Sequence, residues 1–309
     1  MKAILIHEFG GPEVLKLEEV PQPKPMADEV LIKVFASGVN PIDWKIRAGH
    51  GKGKFPVKLP LIPGWDFSGE IEEVGADIKT FRKGDEVYGR PDPTKNGTYA
   101  EYVVVKANLI SPKPKSIGHE KAAGVPLAGL TAWQALFDHG NMQPGQKVLI
   151  HAASGGVGTF AVQFAHWKGA YVIGTTSKAN VAFVKKLGAD KVLDYKKVKF
   201  EEKLKNLDLV IDLVGGDTQK RSLKVLKRGG TLVTTVAPET QEEAKEKDIK
   251  VIGFMAKSDP EDLEQIAQLI DSGKVHPVIS KILPLEKAAE AQQLIEEGHT
   301  RGKIILKVD

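Results

Sequence analysis

The sequence predicts an α/β fold, with a doubly wound parallel sheet and a second, β-rich domain. Three observations support this prediction: a strand, a glycine turn and a helix run together over residues 147–165, strand and helix patterns alternate downstream, and short strands broken by Gly and Pro fill the upstream half. Nearly continuous apolar strands that alternate with helices are typical of a parallel sheet covered on both faces. The length of 309 residues also exceeds one typical domain.

The parallel-sheet region begins at the strand 147–150 and continues through regularly spaced patterns. Further strands are predicted at 171–175, 191–193, 207–211 and 230–234, with helices that end near Leu187 and cover about 219–226. The charged tract 239–250 is interpreted as a solvated helix or loop. These units predict a Rossmann-type domain over residues 119–274.

The upstream half reads as a set of short, partly alternating strands. They are predicted at 3–6, 30–34, 69–74, 86–88 and 99–105. One more strand, at 302–308, is expected to return to this half. The second domain is therefore predicted to cover residues 1–118 and to be completed by 275–309.

The glycine turn Ala153-Ser154-Gly155-Gly156-Val157-Gly158 has the pattern of a dinucleotide site. Gly155 lets the backbone approach phosphates, Gly158 lets the following helix pack closely, and the helix N-terminus supplies free N–H groups. Ala153 stands where the usual motif has its first glycine. An ordinary Gly-rich turn is the alternative. His151, which ends the first strand, is interpreted as a hydrogen-bonded structural residue.

Composition narrows the classes of partner. Lys and Arg total 44 against 40 Asp and Glu, and the net charge of +4 is spread along the chain, so nucleic acid is not an expected partner. No apolar run approaches the ~20 residues that span a bilayer, and no secretory signal is evident, so we expect a cytoplasmic protein without a membrane span. The chain has no cysteine, which excludes disulfides, thiolate catalysis and thiolate zinc sites.

Several motifs occur in a fixed order along the chain: Gly38-Val39-Asn40-Pro41-Ile42-Asp43, Pro63-Gly64-Trp65-Asp66-Phe67-Ser68-Gly69, Lys83-Gly84-Asp85-Glu86-Val87-Tyr88-Gly89, Leu130-Thr131-Ala132, the glycine turn and Arg301-Gly302-Lys303. Together they resemble the zinc-free quinone oxidoreductase branch of the medium-chain dehydrogenase/reductase superfamily. The resemblance covers nearly the whole chain. It implies a GroES-like catalytic domain built from both ends of the sequence, a Rossmann domain between them, and a homodimer.

The same resemblance bears on metal and reaction. Zinc members of the superfamily place a cysteine near Asn40 and a His-Glu pair near Trp65 and Asp66, whereas this chain has no thiol and Trp65 cannot ligate a metal. Without zinc to polarise an alcohol oxygen, reduction of an acceptor that is already electrophilic is favoured. We therefore expect no metal, and hydride transfer from a nicotinamide to a quinone or to the β-carbon of an α,β-unsaturated carbonyl.

Cofactor choice is read from the end of the second parallel strand. NAD sites usually hold an Asp or Glu there, but this chain has Ser177 and Lys178, which would donate to a 2′-phosphate and neutralise it. The interpretation is NADPH. The alternatives are a helix N-cap for Ser177 and a solvated side chain for Lys178. Tyr195 resembles the family's tyrosine near that phosphate, or is a strand-end aromatic.

The candidate catalytic residues are Asn40, Lys45 and Trp65, each with a plainer alternative. Asn40 before a proline is also a good turn residue, Lys45 is a possible oxyanion stabiliser or a solvent-facing lysine, and Trp65 lines the acceptor pocket or packs in the core. Loops such as 49–54 are expected to shape that pocket. The resemblance also implies contacts with the cofactor from Thr131, Ser154, Gly155, Gly156, Val157, Val236, Ala237, Phe254, Met255, Arg301 and Lys303. A helix cap is the alternative role for Thr131.

The sequence thus predicts an NADPH-dependent, zinc-free reductase of quinones or enones. Two alternatives stay open. One is a zinc-type medium-chain alcohol dehydrogenase with non-thiol ligands, and the other is a non-catalytic NADPH-binding or sensing protein, since a fold does not fix a function.

Overall fold

The structure is a computed structural model that describes residues 1–50 and 56–308. Of the loop 49–54, residues 51–54 lie outside the described residues. The chain forms two compact units: the first unit is Met1–Leu127, Ser258–Gly273 and Pro277–Asp309, and the second unit is Ala128–Lys257 and Lys274–His276. The chain passes from one unit to the other at 127/128, 257/258, 273/274 and 276/277, whereas the sequence predicts boundaries at 118/119 and 274/275.

The strands of the described residues are numbered in chain order. They are β1 Lys2–Leu5, β2 Lys16–Glu19, β3 Glu29–Val39, β4 Asp66–Val74, β5 Glu86–Gly89, β6 Tyr102–Lys106, β7 Ile110–Pro112, β8 Lys147–Ile150, β9 Tyr171–Thr176, β10 Lys191–Asp194, β11 Leu207–Asp212, β12 Leu226–Thr234, β13 Lys250–Gly253, β14 Ile279–Pro284 and β15 Lys303–Lys307.

The α-helices are numbered in the same way. They are α1 Pro41–Arg47, α2 His119–Ala122, α3 Pro126–Trp133, α4 Gly156–Trp167, α5 Val181–Lys186, α6 Phe200–Lys203, α7 Gly216–Ser222, α8 Gln241–Glu246, α9 Pro260–Asp271 and α10 Ala288–Glu296. A π-helix, Gln134–His139, continues α3, and short 3₁₀ turns cover Pro12–Val14, Ala107–Leu109, Lys178–Asn180 and Leu285–Lys287.

The second unit contains the predicted parallel sheet. Its strand order is β10-β9-β8-β11-β12-β13, and every neighbouring pair is parallel. Leu149, Val210 and Leu232 from three of these strands are buried in one hydrophobic core cluster. The order reverses at β8, so the carboxyl ends of the strands on either side of β8 form the edge where a Rossmann fold binds its ligand. The Rossmann prediction is confirmed.

The first unit is built around a mostly antiparallel sheet. Its order is β14-β15-β3-β4-β5-β7, with β6 on the other part of β3, and a separate hairpin joins β1 to β2. Strand β15 runs antiparallel to β3, with Leu306 opposite Ser37, so the last predicted strand does return to the upstream half. The predicted β-rich domain completed by the downstream segment is confirmed.

Helix α9 explains one of the displaced boundaries. Tyr88 Oη donates to Leu263 O at 2.5 Å, and the Asp271 carboxylate accepts from the backbone N–H groups of Lys115 at 3.2 Å and Ser116 at 2.8 Å. These contacts join α9 to the first unit, although its sequence follows directly on the second.

Two further expectations differ from the structure. The charged tract 239–250 holds a helix, α8, but its last residue begins β13, which is an additional parallel strand at the sheet edge. The helix expected over about 219–226 is α7, which ends at Ser222, and Leu226 already belongs to β12.

Candidate functional site

The glycine turn between β8 and α4 has the geometry that a phosphate group needs. Gly155 lies at the N-cap of α4 in an extended conformation, and no side chain caps the helix. The N–H groups of the first helical turn have no intrahelical acceptor, so they are available to an anion. A Cβ placed on Gly155 would meet only Ala152 O, at 3.4 Å, which shows that space is open at this point.

Gly158 has a different role from Gly155. A Cβ at Gly158 would lie 2.3 Å from Ala152 O and 2.8 Å from Ala153 Cα, so only glycine lets α4 approach the turn this closely. The sequence prediction for Gly158 is confirmed. The two glycines therefore separate an approach to a ligand from an approach to the protein's own backbone.

Ala153 replaces the first glycine of the usual motif, and β9 makes room for it. A Cβ on Gly174 of β9 would lie 2.9 Å from the Ala153 Cβ. The methyl group that the turn gains is thus matched by a side chain that the neighbouring strand lacks. The turn can therefore pack tightly against β9 because Gly174 lies opposite Ala153. The residues of the turn fit the pyrophosphate of a dinucleotide.

The residues expected at a 2′-phosphate lie together at the carboxyl ends of β9 and β10. The strands are paired with Thr176 opposite Asp194, and Tyr195 N donates to Thr176 O at 3.1 Å. Ser177 and Tyr195 therefore follow two adjacent strands directly, with Lys178 beside them. Lys178 and Tyr195 are exposed. Ser177 occupies an N-cap position, but its side chain makes no capping hydrogen bond.

A hydrogen-bonded link joins this region to the glycine turn, and the sequence did not indicate it. Ser154 Oγ accepts from Thr176 Oγ1 at 2.8 Å and from Asn180 Nδ2 at 3.2 Å. Asn180 Nδ2 also lies 3.4 Å from Ser177 Oγ. Asn180 thus connects the serine of the turn with the serine after β9. The signal available in the sequence was that two small polar residues, Ser154 and Ser177, follow the parallel strands β8 and β9.

The remaining cofactor candidates of the second unit follow α3, β12 and β13. Thr131 is buried on α3, Val236 and Ala237 follow β12, and Phe254 and Met255 follow β13. Phe254 N donates to Thr234 O at 3.1 Å, which brings the two strand ends together. The Met255 side chain is 55% exposed, so a large apolar group is open at this edge.

His151 is fully engaged by its neighbours. Its ring nitrogens lie 2.9 Å from Thr175 Oγ1 and 3.0 Å from Ser222 Oγ, and burial lowers the pKa of His151 to about 4. It is a neutral structural residue near neutral pH, as the sequence predicts.

The first unit holds a buried polar cluster around Lys303. The Lys303 ammonium donates to Asn40 Oδ1, to Val39 O at 3.0 Å and to Asp66 Oδ2 at 3.3 Å. Asn40 Nδ2 also donates to Asp66 Oδ2, at 2.8 Å, and Leu127 N donates to Asp66 Oδ1 at 2.8 Å. Each of the three ammonium protons therefore has an acceptor within the chain. This differs from the cofactor contact expected for Lys303, because the side chain is buried and points into its own unit.

Asp43 extends the cluster. Its Oδ2 atom accepts from Asn40 N at 2.8 Å and from Tyr99 Oη at 2.7 Å, whereas Oδ1 has no hydrogen-bond partner among the described residues. Burial raises the pKa of Asp43 to about 7, and the hydrogen bond from Tyr99 and the charge of Lys303 oppose that rise. Asp43 and Lys303 are 260 positions apart, so no local sequence pattern connects them.

The other candidates of the first unit are placed as follows. Trp65 is fully buried and packs with Ile6, Ile46 and Leu61, so the structure favours the core-packing alternative over a pocket wall. Lys45 is exposed, with its ammonium 5.8 Å from the centroid of the Trp44 ring. Arg301 is exposed at the start of the segment that leads into β15.

The described residues also bear on metal binding and on membrane insertion. Within residues 1–50 and 56–308, no group of three or more His, Cys, Asp or Glu side chains is arranged to hold a metal ion. In the same part of the chain, no helix has both the length and the apolar character needed to cross a bilayer.

Known proteins match both units. The family described as alcohol dehydrogenase GroES-like domain matches residues 26–115, and the family described as zinc-binding dehydrogenase matches residues 187–306. The NAD(P)H oxidoreductase RTN4IP1, mitochondrial, of Danio rerio is 36% identical over 100% of this chain and 91% of its own length. The quinone oxidoreductase of Mus musculus is 36% identical over 99% of this chain and 97% of its own.

The chain belongs to the zinc-free quinone oxidoreductase branch of the medium-chain dehydrogenase/reductase superfamily. Among solved structures, the quinone oxidoreductase from Coxiella burnetii has a TM-score of 0.95 and 40% identity over 100% of this chain and 99% of that one. The Escherichia coli quinone oxidoreductase complexed with NADPH has a TM-score of 0.91 and 30% identity over 99% of this chain and 100% of that one. This member of the branch is an NAD(P)H-dependent oxidoreductase.

Proposed function

We propose that this oxidoreductase uses NADPH, without zinc, to reduce a quinone or the β-carbon of an α,β-unsaturated carbonyl. The observation that carries the choice of NADPH is the group formed by Ser177, Lys178 and Tyr195 after β9 and β10. A hydroxyl, an exposed ammonium and a phenol follow the ends of these two adjacent strands, where an NAD site usually has a carboxylate. The related Escherichia coli quinone oxidoreductase is complexed with NADPH, which agrees with this choice.

The chain's own residues would hold the dinucleotide at two points. The first turn of α4 would donate its N–H groups to the pyrophosphate, and Gly155 would allow that approach. Ser177 and Lys178 would bind the 2′-phosphate. The segments that follow β12 and β13 would fix the position of the nicotinamide end. When bound, the reduced nicotinamide supplies a hydride.

The proposal that no zinc takes part rests on the donor set around Asn40 and Asp66. By resemblance these positions correspond to zinc ligands, and both side chains here accept hydrogen bonds from the Lys303 ammonium. A divalent cation would have to displace a buried lysine and would find no thiol or imidazole in this cluster. Hard oxygen donors are also a poor set for zinc compared with thiolate and imidazole.

Acceptors with extended conjugation suit such a site. A quinone or an enone spreads the negative charge left by hydride addition over its own oxygen, so the protein has less transition-state charge to stabilise. The proton that completes the reduction is then expected to come from solvent. A homodimer and a cytoplasmic location stay predictions, and the Danio rerio relative is a mitochondrial protein by name.

The test compares Lys178→Ala with Lys185→Ala, a matched exposed lysine on α5. We expect Lys178→Ala to weaken NADPH binding by roughly 1 to 2 kcal/mol, the value of a lost charge-assisted contact, and to leave NADH binding unchanged. Lys185→Ala should change neither. Equal losses for both cofactors in Lys178→Ala would place Lys178 away from the phosphate.

The reaction is tested with deuterium-labelled NADPH and a panel of acceptors. We expect turnover of quinones or short enones that persists in chelator, with label at the enone β-carbon and a solvent proton at the α-carbon. Label at the carbonyl carbon, or activity that requires one zinc per chain, would support the alcohol dehydrogenase alternative. NADPH binding without turnover of any conjugated acceptor would support the sensing alternative.

A further inference from the structure

We propose that two buried glutamines, Gln219 and Gln134, are positioning residues for the nicotinamide end of the cofactor. They hold the backbone of two segments, residues 235–240 after β12 and residues 254–257 after β13. The inference rests on the proposed function, because it requires a nicotinamide dinucleotide at this edge of the sheet.

Gln219 connects the middle and the far end of the first segment to the end of β11. Its Nε2 donates to Asp212 Oδ2 at 3.0 Å and to Ala237 O at 3.4 Å, and its Oε1 accepts from Glu239 N at 2.8 Å and Thr240 Oγ1 at 3.3 Å. The side chain is fully buried on α7. One amide group thus fixes the peptide planes on both sides of residue 238.

Asp212 and the turn after it support the same segment from below. Asp212 Oδ1 accepts from Val214 N at 3.0 Å and Gly215 N at 2.9 Å. A Cβ on Gly215 would lie 2.7 Å from Val236 Cγ2, and Gly215 has a φ of +82°, which favours glycine. The Val236 side chain therefore rests directly on a turn whose shape the Asp212 carboxylate determines.

Gln134 acts in the same way on the second segment. Its Nε2 donates to Lys257 O and its Oε1 accepts from Lys257 N, both at 3.0 Å. At the other end of the π-helix, the His139 ring lies 4.5 Å from the Phe254 ring. A π-helix is uncommon and occurs often at functional sites. Here it places Gln134 and His139 against the two ends of residues 254–257.

The two segments form one edge. Strands β12 and β13 are parallel neighbours with Thr234 opposite Gly253, and Phe254 N donates to Thr234 O at 3.1 Å. A ring that must present one carbon to an acceptor needs its supporting backbone fixed within about half an ångström. Paired hydrogen bonds from a buried amide supply that restraint without adding charge.

The experiment uses three identical substitutions, Gln219→Met, Gln134→Met and Gln163→Met. Gln163 is the control, because it is also buried and its amide also pairs with the backbone of one residue. Its Nε2 donates to His276 O and its Oε1 accepts from His276 N, but it lies in the middle of α4. Dissociation constants are measured for NADPH and for 2′,5′-ADP, which carries the adenosine and 2′-phosphate but no nicotinamide. Thermal unfolding of each variant establishes that it is folded.

We expect Gln219→Met and Gln134→Met to weaken NADPH binding by roughly tenfold, the effect of one or two lost hydrogen bonds, while 2′,5′-ADP binding stays within about twofold. Gln163→Met should leave the ratio of the two constants unchanged. An unchanged ratio in both Gln219→Met and Gln134→Met would overturn the inference, as would equal weakening of both ligands.

A wild-type protein that binds neither ligand would instead overturn the proposed function, so the two failures are distinguishable. If Gln219→Met does not fold, Gln219→Leu takes its place, and if Gln134→Met does not fold, Gln134→Glu gives the same test at that position. It keeps the acceptor for Lys257 N and loses the donor to Lys257 O. A smaller selective loss of NADPH binding supports the inference, and no selective loss contradicts it.

Discussion

Two buried aspartates, one in each unit, show how differently a carboxylate can be held. Asp212 in the second unit accepts four hydrogen bonds, two at each oxygen, from Val214 N, Gly215 N, Gln219 Nε2 and Thr234 Oγ1. Asp43 in the first unit accepts two, both at Oδ2, and Oδ1 has no partner in the described part of the chain. Both are fully buried. Two equally buried carboxylates thus differ in the number and placement of their donors: Asp212 holds the turn that follows β11, whereas Asp43 has one oxygen toward which no donor points.

The largest expected effect comes from removing the charge that balances the first cluster. Lys303→Met leaves the buried Asp66 carboxylate without the ammonium that donates a hydrogen bond to it, and such a loss costs about 3 to 5 kcal/mol of the free energy of unfolding. Urea denaturation near pH 7.5 measures it. Lys83→Met is the control, since Lys83 forms an exposed ion pair with Glu72. A Lys303→Met protein as stable as this control would mean that the cluster stores no electrostatic stability.

The second prediction concerns pH. Burial raises the folded pKa of Asp43 to about 7 from its ordinary value of 3.8, so the neutral form is favoured in the folded protein. The resulting stability is fully present below pH ~4 and is lost as the pH rises through about 7. Between pH 5 and 8 we expect wild type to lose roughly 2 to 4 kcal/mol relative to Asp43→Asn, which cannot ionise. Parallel curves for the two proteins would contradict the raised pKa.

The smallest effect comes from the same substitution made at both aspartates. Asp212→Asn turns an NH₂ group toward two donors, which leaves buried hydrogen-bonding groups unpaired and costs about 1 to 3 kcal/mol. At pH 8, Asp43→Asn should cost less, because its new NH₂ group can occupy the side where no donor points. Unfolding curves of the two variants at that pH make the comparison. Equal losses would show that donor number does not distinguish the sites.

Sequence reasoning worked where local pattern determines structure. The apolar runs 147–150 and 207–211 and the glycine turn predicted the parallel sheet and the strand–turn–helix unit, because a buried parallel strand and a helix N-terminus leave a continuous local signature. The return of the final strand to the upstream half was also predicted. The roles of the glycine turn at a pyrophosphate and of Ser177 and Lys178 at a 2′-phosphate stay predictions.

The contacts that local sequence pattern did not predict join residues far apart in the chain. Lys303 meets Asn40 and Asp66, and Gln134 meets Lys257, so no window of sequence contains both partners. Asp212 could have been noticed, because a polar residue at the carboxyl end of a buried strand faces the ligand edge. Trp65 was ambiguous because one aromatic residue suits a pocket wall and a core equally well.

The position of Lys303 has a consequence for the order of events during translation. Residues 128–257 supply all six strands of the parallel sheet, and they leave the ribosome before β15 does. Residues 1–127 emerge still earlier, but β3 lacks its neighbour β15 until residues 303–307 appear. Asp66 likewise lacks the ammonium of Lys303 until then. The segment made first is therefore finished last, and until then a nascent chain exposes the edge of β3, a site open to mispairing.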